Sequence, residues 1–134
     1  FAEKSRLTAQ YLSYSFSFYR QASDSCLRVF NTCTKNGWNR LILCGISDLA
    51  EIATLRALEQ QIEIVAFYDP HSERKAFLNR PVWRRLEKLD EYDACVVTDF
   101  LATQITYEHV VSRIGPDRVL VPDVLRLENW SVSG

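Results

Sequence analysis

The sequence predicts an α/β fold: a Rossmann-like, doubly wound parallel sheet of about five strands in the order 3-2-1-4-5, preceded by a long helix. Three observations predict it. From Ala2 to about Lys35 there is no Gly or Pro, and apolar residues recur at steps of three or four, the helical period. From Arg40 onward, short apolar runs alternate with segments of helical period. Gly45, Asp69-Pro70 and Gly115-Pro116 fall where runs end rather than inside them.

In the first segment Leu7, Tyr11, Tyr14, Phe18, Ala22, Cys26, Val29 and Cys33 form one row. Leu12, Phe16, Tyr19, Leu27 and Phe30 form a second, which widens the apolar face beyond one stripe. A face that wide needs two partners, here the sheet layer and a second subunit. Asn36-Gly37 closes the helix, so residues 1–37 read as a linker and dimerisation helix and 38–134 as the Rossmann-like domain.

Leu41-Ile42-Leu43-Cys44 is a continuous apolar run, as a strand buried on both faces requires. Asp48 to Gln60 follows as a helix, with Leu49, Ile52, Ala53, Leu55 and Leu58 expected to face inward. Ile62 to Tyr68 is the second strand. His71 to Arg80 is polar and reads as a connection with at most one helical turn. Pro81-Val82-Trp83 is a short third strand, and Leu86 to Tyr92 a short helix. Ala94 to Thr98 is the fourth strand, Thr103 to Ile114 a helix, and Arg118 to Pro122 the last strand before an irregular tail.

Composition narrows the function classes. A formal net charge of -1 gives no global attraction to nucleic acid or anionic membrane, so any DNA contact belongs to another part of a larger protein. No apolar run approaches the roughly 18 residues of a membrane span. FAEKSRLTAQ has no apolar stretch behind its basic residues and the chain has no Met, so it reads as a piece of a longer protein without a signal peptide. The four cysteines form no C-x-x-C and have no His in ligand spacing. They read as reduced structural thiols, with no metal site and a cytoplasmic setting.

In such a sheet, ligands bind beyond the carboxyl ends of the strands where the winding reverses. The loop there, Gly45-Ile46-Ser47-Asp48-Leu49-Ala50, reads G-x-S-x-x-A against the dinucleotide pattern G-x-G-x-x-G/A. Gly45 suits the tight turn and Ala50 the close helix–strand packing. Ser47 stands where a glycine would admit a pyrophosphate; its hydroxyl and the loop amides are the candidate phosphate donors. Asp48 either opposes that phosphate or caps the helix. Asp69, followed by Pro70, ends the second strand where an acid takes ribose hydroxyls. Thr98 and Asp99 end the fourth strand beside the same cleft, as a polar floor or, on the favoured reading, with Asp99 or Thr103 serving as a helix cap.

The histidines, His71 at the cleft rim and His109 within a helix, have no partner in a catalytic arrangement. No residue is assigned a catalytic or metal-binding role. Arg80, Arg84, Arg85 and Lys88, interleaved with Glu87, Asp90 and Glu91, read as a solvated face. Trp38 and Trp83 read as packing residues.

Two resemblances add to this. Glu3-Lys4-Ser5-Arg6-Leu7-Thr8, within the first twenty residues, resembles the segment that follows the winged helix in bacterial regulators linked to exopolysaccharide synthesis. LILCGISDLAEIA, FYDP, PVW, CVVTDF and RVLVPDVL resemble the small Rossmann-like domain of sugar acyltransferases, matching at Gly45, Ser47, Ala50 and Asp69. Together they imply the regulatory domain of a transcription regulator, a homodimer through its first helix, touching DNA only through a winged-helix part outside this chain. Its ligand would be a nucleotide, NAD(P) or a UDP-sugar. The second family's β-helix repeats, which carry acetyl transfer, have no counterpart here. Redox-sensing repressors, which join a winged helix to an NADH-binding Rossmann domain, are an architectural analogue. The alternatives are a nucleotide-dependent sugar-modifying enzyme, an oxidoreductase domain, or a structural dimerisation module with an empty cleft.

Overall fold

A computed structural model describes residues 2–86 and 91–125, with side chains from residue 16 onward. The long helix α1 runs Ala2–Lys35; β1 (Arg40–Cys44), α2 (Asp48–Glu59) and β2 (Glu63–Tyr68) follow. Then come β3 (Ala76–Phe77), β4 (Arg80–Trp83), β5 (Ala94–Val97), α3 (Thr103–Ile114), a 3-10 turn at Pro116–Arg118 and β6 (Val119–Leu120).

The sheet is mixed and six-stranded, in the order β3-β4-β2-β1-β5-β6. This differs from the expected order by one insertion at an edge. The parallel strands β4, β2, β1, β5 and β6 keep the predicted succession, and β3 adds an antiparallel strand beyond β4. The polar stretch His71–Arg80 therefore contains a hairpin, not a connection with a helical turn. Its two-residue turn, Leu78-Asn79, has both φ angles positive, as the tight turns that match strand twist require. Leucine rarely adopts that conformation, so its presence at the turn hides the hairpin from a reading of the sequence. The expected helix from Leu86 to Tyr92 falls largely on 87–90, outside the described residues, as does the tail from 126.

Side-chain alternation along β1 sorts the core into two layers. Leu41 and Leu43 face α1 and α2; Ile42 and Cys44 face Tyr92 and Val110 of α3. The two helices thus cover opposite faces, as right-handed crossovers in both directions demand. On β2 the alternation is interrupted: Leu41 pairs with Ile64 but Ile42 with Ala66, so Val65 is an inserted residue. Ile64 and Phe67 consequently face the α1–α2 layer, while Ala66 and Tyr68 face the α3 layer. The Ile64 carbonyl beside this bulge accepts from Arg80 Nε at 2.9 Å. Arg84 likewise donates to the Ser72 carbonyl, so these two arginines hold backbone and are not merely a solvated face. Lys88, Glu87 and Asp90 lie outside the described residues.

The inward face of α2 is Leu49, Ala50, Ile52, Ala53 and Ala57. Leu55 and Leu58, expected inside, are 56% and 63% exposed. At 3.6 residues per turn Leu49, Ala50, Ile52, Ala53 and Ala57 share one arc of the helix, and Leu55 and Leu58 fall on the other side. The second half of α1, Ala22 to Cys33, shares this core, and Ser25 Oγ accepts from Val124 N at 3.1 Å just after β6. By rise per residue α1 is about 51 Å long, against about 17 Å for a five-residue strand, so it outruns the sheet it packs on. Trp38 and Trp83 are half-buried, under the Arg118 guanidinium and edge-on to Tyr92 respectively, as packing residues should be.

Candidate functional site

The crevice opens where β1 and β5, adjacent and parallel, send their chains to opposite faces. Gly45 begins it. Its φ is +122°, and a Cβ there would lie 2.6 Å from the Asp99 backbone nitrogen. Only glycine lets the β1 loop press this closely against the end of β5. Two further bonds fasten the loop: Thr98 Oγ1 donates to the Gly45 carbonyl and Ser47 Oγ donates to the Thr98 carbonyl, each at 2.6 Å.

Ser47 is also the N-cap of α2, accepting from Ala50 N at 3.2 Å. Its hydroxyl is thus engaged both as donor and as acceptor, which corrects its expected role as a phosphate donor. Asp48 is exposed on the first turn of α2, where a negative charge complements the helix N-terminus. Leu49 and Thr98 are fully buried. None of these four lines the cleft.

Gly45, Ile46, Asp69, Pro70 and Asp99 do line it, in a cavity of about 500 Å³. Asp69 Oδ1 accepts from His71 N at 3.0 Å, which folds the strand end into a turn. Asp99 lies over the opening of α3: Oδ1 accepts from Leu101 N and Ala102 N, and Oδ2 from the Thr106 hydroxyl at 2.7 Å. The helix itself starts at Thr103, with Ala102 as its N-cap and no side-chain cap bond. The Asp99 carboxylate thus takes amides just ahead of the helix without being its N-cap.

The structure adds residues that the sequence did not single out. Tyr68, Leu101, Ala102, Ile105, Thr106 and His109 complete the lining, and His71 joins it from the rim. Tyr68 and His109 form a pair, hydroxyl to Nε2 at 2.6 Å, with rings nearly parallel at 7°. Burial, with the neighbouring Cys44, pushes the Tyr68 phenol above its ordinary value, so it is a neutral hydrogen-bonding group at physiological pH. His109 is half-buried, not isolated; its partner lies 41 residues away, beyond the reach of any local pattern. Leu101 and Ile105 are 99% and 71% exposed at the cleft mouth.

Between them, Leu101 and Asp99 flank Phe100, whose ring turns to the other side and packs on Phe18 of α1, centroids 5.1 Å apart. The cleft wall and the long helix are in direct contact through this pair. Chemically the cleft is a binding surface: two carboxylates, two imidazoles, a phenol, a threonine hydroxyl and apolar walls, with no Ser, Cys, Lys or Arg in its lining among the described residues. Among the described residues no helix is long and apolar enough to cross a membrane. No family model, curated protein or solved structure matches the chain.

Proposed function

We propose that this chain is a sensing module, which binds a small organic ligand in the cleft at Gly45, Asp69 and Asp99 without turning it over, and passes occupancy to α1. The observation that carries this is the Phe100–Phe18 contact, which joins the cleft wall to the helix. A cavity of about 500 Å³ falls within the range of small-molecule sites, and it lies at the switch point of the sheet. A ligand that favours one seating of the Asp99–Ala102 wall favours one seating of Phe100 on α1, and by linkage the helix arrangement changes ligand affinity in return.

Phe16 and Tyr19 are 73% and 47% exposed on α1, and the helix outruns the sheet. They support α1 as the contact between two copies of the chain. In the regulator reading, that helix would carry the signal to a DNA-binding part outside this chain.

The test is a thermal unfolding screen with NAD(H), NADP(H), UDP, UDP-sugars, CoA, ATP and a set of small amines. A ligand at about 100 times its dissociation constant adds roughly 2.7 kcal/mol if it binds only the folded state. A saturable shift without product, accompanied by a change in sedimentation or in α1 amide exchange, supports the sensor. Turnover of any panel member would replace it with an enzyme, and a silent panel would leave a structural module.

A further inference from the structure

The sensing reading leaves the ligand open, and the chemistry of the cleft narrows it. We infer that the cleft selects a monocationic amine with an apolar body, and rejects phosphate-bearing ligands; this rests on the cleft being a ligand site.

The positions where a phosphate would sit in this fold are filled from within the chain. At the N-terminus of α2 the Ser47 hydroxyl takes the Ala50 amide, and Asp48 follows on the first turn. At the start of α3 the Asp99 carboxylate takes two amides and the Thr106 hydroxyl. A phosphate would have to displace these acceptors while standing beside their negative charge.

Among the described residues the lining carries Asp69 and Asp99 and no Lys or Arg. Arg113, on α3 one turn beyond His109, acts on the Tyr68 phenol but is exposed and outside the lining. Among the described residues the carboxylates of Asp69 and Asp99 thus share the lining with no Lys or Arg, between apolar walls whose low polarisability strengthens their field. Asp69 spends Oδ1 on the His71 amide, while Oδ2 accepts no hydrogen bond from the described residues. That oxygen is the seat for an ammonium group. Ile46, Pro70, Leu101 and Ile105 supply the surface for an apolar body, and the Tyr68–His109 pair supplies hydrogen-bonding edges.

The experiment is calorimetric titration of the whole chain with probes that share one ring and differ in charge. These are tryptamine (cation), tryptophol (neutral) and indole-3-propionate (anion), with UMP as the phosphate. The expected result is tryptamine binding at least about tenfold tighter than indole-3-propionate, no heat from UMP, and a preference that shrinks as salt is raised. Asp69→Asn should bring tryptamine to the affinity of tryptophol and leave tryptophol unchanged. The salt series needs no variant, so it decides the question even where Asp69→Asn unfolds. If indole-3-propionate or UMP binds as tightly as tryptamine, the charge inference is overturned while the sensing site stands. If none of the four binds a chain shown to be folded, both are overturned.

Discussion

The rings of Phe18 and Phe100 meet at 5.1 Å and an angle of 48°, and they are the one aromatic contact between α1 and the end of β5 among the described residues. Such pairs contribute about 0.5–1.5 kcal/mol beyond the area they bury. Phe18→Leu and Phe100→Leu should each destabilise by about 1–2 kcal/mol, with a coupling of roughly 1 kcal/mol in a double-mutant cycle read by urea unfolding. Either substitution should also abolish any ligand-dependent change in α1 amide exchange while leaving binding itself in place. Retained transmission in Phe100→Leu would mean that the signal travels elsewhere.

Gly45→Ala should be among the most damaging single-methyl substitutions in the chain. The added Cβ meets the Asp99 backbone rather than a side chain that can swing aside, and the positive φ is strained for alanine as well. A loss of about 2–4 kcal/mol is expected from chemical denaturation. A stable Gly45→Ala protein with an unchanged cleft would show that the β1 loop has room it lacks here.

Ser47→Ala removes the α2 cap and the bond to the Thr98 carbonyl together, and should cost about 1–2 kcal/mol. Ser47→Asp would keep a cap acceptor but lose the donor to Thr98, so it should recover only part of the stability. Neither change should abolish binding of a ligand that makes no use of the hydroxyl, which titration of the folded variant will show.

Asp93 should contribute to stability on the acid side. Burial raises its carboxyl, but the Arg40 side chain and the amides of Arg40 and Asn39 outweigh that and hold it below the ordinary value. Between the lowered folded value and the ordinary unfolded one, the unfolded chain binds more protons. The stabilisation is thus complete above the ordinary carboxylate range and is lost as pH falls through the folded value. In Asp93→Asn the stability curve should flatten on its acid side, with little further loss where the native chain is losing most. An unchanged acid limb would assign acid unfolding to other carboxylates.

All four cysteines are buried. Burial pushes the Cys26 and Cys33 thiols up to about 12, and raises Cys44 as well through burial and its neighbour Cys95. Thiolate is the reactive form, so the native chain should resist alkylation at neutral pH and react at all four sites once unfolded. Rapid labelling of native Cys26 or Cys33 would show that α1 opens from the sheet on the timescale of the reaction.

The parallel sheet and its helices were legible because burial on both faces writes itself as continuous apolar runs, and α1 and α3 as unbroken helical periods. The hairpin was hidden because Leu78-Asn79 uses a residue that the turn disfavours. Leu55 and Leu58 mislead because their hydrophobicity outweighs their position: the helical period puts them opposite the arc of Leu49, Ile52, Ala53 and Ala57. Within the site, Gly45, Asp69 and Asp99 were legible from their place at strand ends. Tyr68 and His109 were not: they meet only once α3 packs on the sheet face that Tyr68 presents, and nothing local to either marks the other.

The extra residue at Val65 has a consequence for which changes of length the chain tolerates. It takes up one residue of length: beyond it Ala66, Phe67 and Tyr68 keep the faces of a strand one residue shorter. Deleting Val65 would restore plain alternation, with Ile64 and Phe67 still on the α1–α2 layer and Ala66 and Tyr68 still on the α3 layer, so the phenol stays beside His109. Conservative substitution at 65 should be nearly silent, since the side chain is only half-buried, and removal of the same residue should leave the site standing. On this strand one residue is slack that the pairing does without.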